Sequence, residues 1–166
     1  FPLSNQVMLI DSLYDARLSE RTFINIERLY QEYPNEINII YRMARSFFDK
    51  AEQETDINIQ KKYYYEGFQY AKRALRMNSE NGYANFWYAA FIGKIGELEG
   101  NRQKILNSYE VKKYGMKAIA LEPDYDACYH LMGRWHFELA DLSWIERSIA
   151  SLVYDTPPEG SYNKAV

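Results

Sequence analysis

The sequence predicts an all-α chain built from antiparallel helix pairs, and three observations carry that expectation. First, Ile40-Met43-Ala44-Phe47, Phe86-Ala89-Ala90 and Tyr129-Met132-Gly133 share one large-x-x-apolar-small spacing, with the small residues 46 and 43 positions apart. Second, Gly67-Ala71-Ala74-Leu75 and Val111-Gly115-Ala118-Ile119 repeat with a shift of 44. Third, the apolar stripes between them follow the i, i+3, i+4 period of a helix. Small residues in phase let one helix cross another closely, as stacked helical hairpins require.

Each element follows from local signals. Val7, Ile10, Leu13 and Tyr14 place a helix around residues 3–16. Ser19-Glu20-Arg21 starts a second, whose stripe Phe23, Ile26, Leu29, Tyr30 is ended by Pro34. These two form an N-terminal hairpin over residues 1–34. The first clear repeat, residues 35–81, pairs a helix from Asn35 to about Lys50 with one from Asn58 to Met77 across the polar run Glu52–Asp56. The cluster Asn78–Gly82 is a turn, with Gly82 permissive for positive φ. The second repeat, residues 82–124, pairs Tyr83–Gly96 with Ile105–Leu121, and Gly96 and Gly100 bracket an acidic connector. Pro123 stops the pair. A third, modified and incomplete repeat fills residues 125–166. It has a helix from Tyr125 to Ala140, an inserted helix from Leu142 to Tyr154 ahead of Pro157-Pro158, and the first turn of a partner at Ser161–Val166.

A tetratricopeptide repeat has a period of about 34 residues. The extra ten or so per unit are expected between the helices of a pair, leaving the packing positions intact. The expected fold is therefore a short right-handed solenoid of tetratricopeptide type, a single domain over residues 1–166.

Composition narrows the function. The 166 residues are 47% apolar and include 16 tyrosines, enough for a core that buries roughly 68–70% of the unfolded surface. A net charge of -3 with mixed signs argues against a nucleic-acid binder, which needs a concentrated positive footprint. The lone Cys128 excludes an internal disulfide and most cysteine metal sites, and reads as a buried filler. With no sequon and no long apolar run, a cytoplasmic location is expected. The start at Phe1 rather than Met suggests a fragment, whose full-length form could carry an anchor.

Catalysis finds little support, and no cofactor is expected. His130 and His136 are six apart and fall on different helix faces, unlike the i, i+4 pair of a zinc site. No H-E-x-x-H, Gly-rich phosphate loop or G-x-S-x-G occurs. Glu122-Pro123-Asp124-Tyr125-Asp126 lacks the rest of a calcium loop and suits a helix entry.

The expected activity is binding. In stacks of this kind the first helices line a concave groove. The groove-facing positions would be Tyr41, Arg45 and Phe48, then Trp87, Phe91 and Lys94, then His130, Arg134 and Phe137. Aromatic area with one basic group per unit suits an acidic peptide, or an anionic lipid head group. The Asn of the carboxylate clamp used by chaperone-binding repeats is absent. Lys72, Arg73 and Arg76 match Lys112, Lys113 and Lys117 in repeat position, which would make a basic stripe on the outer face; an ordinary solvated face is the blander reading. The stripe of Trp144, Ile145, Ile149 and Leu152 is expected to cover the third unit. The unfinished last pair would expose Met132, Trp135 and Leu139 and invite self-association or cover by further residues.

Two stretches resemble the regulator of microtubule dynamics family. One joins Phe86-Trp87-Tyr88-Ala89, Ile95–Gly100 and Lys117–Pro123. The other joins His130–Trp135, Leu142–Arg147 and Thr156-Pro157-Pro158. The resemblance covers residues 83–166 well and the first half loosely. It implies a diverged tetratricopeptide-like adaptor, not an enzyme. The partners it implies are microtubules or, alternatively, phospholipid at membrane contact sites; the basic stripe would meet acidic tubulin tails or anionic lipid.

Overall fold

The computed structural model describes residues 2–141, Arg147 and residues 160–165. All regular structure among them is helical: α1 (Leu3–Asp15), α2 (Ser19–Glu32), α3 (Ile37–Gln53), α4 (Ile57–Met77), α5 (Gly82–Glu99), α6 (Asn101–Leu121), α7 (Asp126–Ala140) and α8 (Tyr162–Ala165). Within residues 1–79 and within residues 80–166, helices adjacent in sequence pack on each other, as the all-α helical-repeat expectation requires. The chain divides into two compact units, residues 1–79 and 80–166.

In the first unit, Ile10, Ile26, Leu29, Ile39, Met43 and Phe47 form one buried cluster from α1, α2 and α3, with Tyr63 and Tyr70 of α4 packed against it. Phe47 lies edge-on to Phe23 (5.3 Å between centroids, 83° between planes) and stacked on Tyr70 (5.6 Å, 14°). Such ring pairs add to the stabilisation from burial alone. Local chemistry sets the joints. Leu18 N–H reaches Leu13 O at 3.0 Å and Arg17 takes a left-handed φ of 61°, which ends α1. Asp56 caps α4 by accepting from Asn58 N (2.9 Å) and Ile59 N (3.3 Å). The small residues do what their spacing implied: Ala44 on α3 and Gly67, Ala71 and Ala74 on α4 are buried where the two helices meet.

In the second unit, α5 and α6 make the most extensive pairing, with Ala89, Ala90, Val111, Gly115 and Ala118 buried. Asn81 caps α5 through Ala84 N at 2.9 Å. Gly82 is the first residue of that helix rather than a positive-φ turn. The acidic connector expected between Gly96 and Gly100 is absent, because α5 runs on to Glu99. Gly100 alone (φ 104°) separates it from α6. The residues beyond a standard repeat thus lengthen helices instead of projecting between them. Each added turn continues an i→i−4 ladder, whereas a projecting loop would have left those groups to water.

Met132, Trp135 and Leu139 are buried, contrary to the exposed face expected for an unfinished pair. Trp135 Nε1–H donates to Ser108 O at 2.8 Å, and α7 packs on α6. The apolar face is therefore already covered within the chain. The expected Leu142–Tyr154 helix, with Trp144, Ile145, Ile149, Leu152 and the Pro157-Pro158 exit, lies outside the described residues.

Cys128 is fully buried, and burial, followed by Glu122, raises its thiol to about 11. The thiolate is the reactive form. Alkylation near neutral pH is expected to be negligible in the folded chain and rapid in denaturant. Fast labelling of folded protein, read by mass spectrometry, would contradict this.

Candidate functional site

The expected groove residues separate into three environments. Trp87 and Phe91 of α5 are 5% and 0% exposed and belong to the core, not to a groove. The reason is the register of α5, which buries residues on every side at Ala84, Asn85, Phe86, Trp87, Ala89, Ala90 and Phe91. A helix with so little polar face offers no local sign of which aromatic points inward.

On α3, Tyr41 is buried and Phe48 half-buried against Tyr64 (5.5 Å, 79°). Arg45 is engaged by its own chain. Asp11 of α1 accepts from Arg42 Nε at 2.8 Å and Nη2 at 2.7 Å, and its Oδ1 stands 2.9 Å from Arg45 Nη2. The Arg45 guanidinium also lies 4.0 Å from the centre of the Tyr14 ring. Burial pushes the Asp11 carboxyl up, but the two guanidiniums outweigh it and hold it below 3.8. Arg45 is thus an internal ion partner rather than an open anion grip.

The remaining group converges. His130, Arg134 and Phe137 of α7 line a cavity of about 910 Å³ between α7 and α8, together with Tyr129, Gly133, His136, Tyr162 and Lys164. Phe137, Tyr129 and Tyr162 are each about half exposed, at 52%, 49% and 50%. Phe137 and Tyr162 meet edge to face at 5.6 Å. The cavity exists because α8 crosses α7 at Gly133, where a Cβ would stand 2.8 Å from Ala165 O. Ser161 N–H donates to His136 Nδ1 at 3.3 Å, and Tyr162 OH hydrogen-bonds Asp141. His136 is held below its usual pKa by burial and then by Lys164 and Lys112.

Beside the cavity runs a chain of alternating charges. Lys94 meets Glu97 at 3.7 Å, Glu97 meets Arg134 at 3.3 Å, Arg134 meets Glu138 at 3.1 Å, and Glu138 meets Lys104 at 3.3 Å. Lys94 and Arg134, read separately from sequence, share one carboxylate. Sequence reasoning missed Tyr129, Tyr162 and Lys164 as lining residues. The one signal was the expected helical turn at Ser161–Val166, with nothing local to say what it would cross.

The basic-stripe residues are partly occupied within their own units. Arg73 donates to Tyr30 OH and Asn35 Oδ1, both at 2.8 Å, and Lys72 sits 4.8 Å from the Phe68 ring centre. Arg76 is exposed. Lys117 pairs with Glu80 at 2.7 Å, while Lys112 and Lys113 lie over Trp135 (5.5 Å) and Tyr114 (5.1 Å).

Comparison with known proteins fits this architecture. The family model for Regulator of microtubule dynamics protein 1-3 matches residues 7–166. Regulator of microtubule dynamics protein 1 of Bos taurus is 34% identical over 167 residues, spanning 100% of this chain and 52% of that protein. The Homo sapiens protein of the same name is 38% identical over 127 residues, 76% of this chain and 40% of that protein. Regulator of microtubule dynamics protein 3 of Xenopus laevis is 34% identical over 143 residues, 86% of this chain and 30% of that protein. The chain spans about half the length of the first of these relatives and less of the other two. A match reaching from α1 through α8 at this identity settles the family: the chain belongs to the regulators of microtubule dynamics.

Proposed function

We propose that the chain is a non-enzymatic interaction module that docks a segment of a protein partner in the cavity between α7 and α8. The observation that carries this reading is the convergence of His130, Arg134 and Phe137, three residues singled out from sequence alone, on one concave and partly aromatic surface. Half-exposed rings supply contact area at low entropic cost when covered. Binding rather than catalysis is favoured by how the perturbed groups are used. Asp11 is spent on an internal ion cluster, Cys128 on packing, and Tyr88, raised to about 12 by burial and then by Glu110, on a helix–helix contact.

The relatives' names direct the choice of partner toward microtubules or proteins bound to them. The test is co-sedimentation with microtubules assembled from purified tubulin. Wild-type chain is expected in the pellet. Phe137→Ala combined with Tyr162→Ala is expected to weaken binding about tenfold or more, since exposed rings of this kind contribute on the order of 1–2 kcal/mol each when buried by a partner. Retention of full binding by the double variant would refute the cavity as the docking site. Failure of the wild-type chain to pellet would refute the microtubule partner.

A further inference from the structure

The charges of the described residues that line the α7–α8 cavity are not balanced. Glu138 is the one carboxylate among its described lining residues, and it is already engaged by Arg134 at 3.1 Å and Lys104 at 3.3 Å. Arg134 is in turn shared with Glu97 at 3.3 Å. Lys164 is different. It is exposed on α8, next to the Ala165 that crosses Gly133, and among the described residues no carboxylate stands within ion-pair distance of it. Two imidazoles, His130 and His136, add no negative charge in either protonation state. Among the described lining residues the cations Arg134 and Lys164 outnumber the carboxylate of Glu138, and Asp141 at the rim is occupied by the Tyr162 hydroxyl. Beside this unspent cation stand the half-exposed rings of Phe137 and Tyr162.

We propose that the cavity selects an acidic peptide segment, with a large apolar or aromatic side chain covering Phe137 and Tyr162 and a neighbouring carboxylate meeting Lys164. This rests on the docking reading above and gives its partner a chemistry. An acidic segment satisfies the Lys164 ammonium without displacing Glu138 from its two cations. A basic segment would bring like charge to Lys164 and would have to compete for a carboxylate that is already saturated. The peptide is favoured over a membrane because the surface is a recess with facing walls, which takes a narrow chain. A membrane-docking patch would instead present its apolar groups outward from a convex face.

The experiment uses the full chain and fluorescence anisotropy with three short labelled peptides that share one Phe and two Leu residues. They differ in carrying Glu, Gln or Lys at every other position. Vesicles of phosphatidylserine and phosphatidylcholine form a fourth arm. The Glu peptide is expected to bind at least tenfold tighter than the Gln and Lys peptides, with an affinity that falls as salt rises. Lys164→Glu should lose about tenfold for the Glu peptide alone, whereas Phe137→Ala should weaken the Glu and Gln peptides alike. Equal binding of Glu and Gln peptides, or indifference of the Glu peptide to Lys164→Glu, overturns the acidic preference. The docking site itself survives that result if Phe137→Ala still weakens both peptides, and falls if it does not. Absence of Glu-peptide binding also overturns the acidic preference, with the microtubule assay on the double variant then deciding the docking site alone. Lys164-dependent binding to vesicles but not to peptide overturns the peptide in favour of a membrane surface.

Discussion

Phe91→Ala is expected to destabilise the second unit by about 3–5 kcal/mol, the range for truncating a fully buried aromatic side chain. Phe91 is 0% exposed and lies in the α5 segment that packs on α6. Alanine there removes the transfer free energy of a whole ring and leaves a cavity that the surrounding helices close only in part. The same change at Phe137, which is 52% exposed, is expected to cost about 0.5 kcal/mol or less in the unliganded chain. Urea unfolding followed by circular dichroism measures both. The pair also separates two roles for aromatics of similar sequence context: Phe91→Ala should lose stability, and Phe137→Ala should lose partner binding at nearly wild-type stability. Wild-type stability in Phe91→Ala, together with loss of partner binding, would return Phe91 to the groove.

Asp11→Asn should destabilise the first unit by about 2 kcal/mol. Breaking a buried ion pair typically costs about 3–5 kcal/mol because the remaining charge is left without compensation. The Asp11 side chain is 36% exposed, so solvent screens part of that cost. The residue left behind is a pair of guanidiniums whose side chains are only 10% and 9% exposed, with Arg45 Nε already lacking a hydrogen-bond acceptor among the described residues. The pH dependence has a definite sign. The folded carboxyl titrates below the ordinary 3.8, so its stabilisation is complete above that value and disappears as pH falls through the lower folded pKa. The stability gap between wild type and Asp11→Asn should therefore be constant from neutral pH down to about pH 5 and close progressively below about pH 4. A gap that stays open in strong acid would mean that Asp11 acts through shape and not through its charge.

How much of this was legible beforehand follows the range of the forces involved. The helices were readable because apolar spacing, polar breaks and breakers act within a turn or two: Pro34 and the α2 stripe, the polar run ending at Asp56, and the turn cluster Asn78–Gly82 all work locally. Ala44, Ala71 and Ala118 were readable for the same reason, since recurrence in phase survives without knowledge of the neighbour. The long uninterrupted α5 and α6 were not, because a Gly at position 96 signals a break only if nothing packs over it. In fact α6 approaches so closely that a Cβ there would stand 2.9 Å from Lys104 Cα.

The candidate site was half legible. Residue type and helical register brought His130, Arg134 and Phe137 together from the sequence. The same reasoning placed Arg45, Trp87 and Phe91 beside them, where they do not belong. Arg45 is paired with a carboxylate 34 positions earlier in the chain, and Arg42 shares the same group across 31. No window of local sequence contains both partners.

What the amino-acid order determined by itself is the run of helices, their pairing with chain neighbours and the family to which they belong. The helices rest on hydrogen bonds and side-chain spacings within a few residues, and the family on motifs recurring along the chain. Which rings face water, which guanidiniums are already spent, and where α8 crosses α7 to open a cavity were decided only by the tertiary structure. Burial and Coulomb pairing depend on distance in space, and a linear sequence does not record that distance.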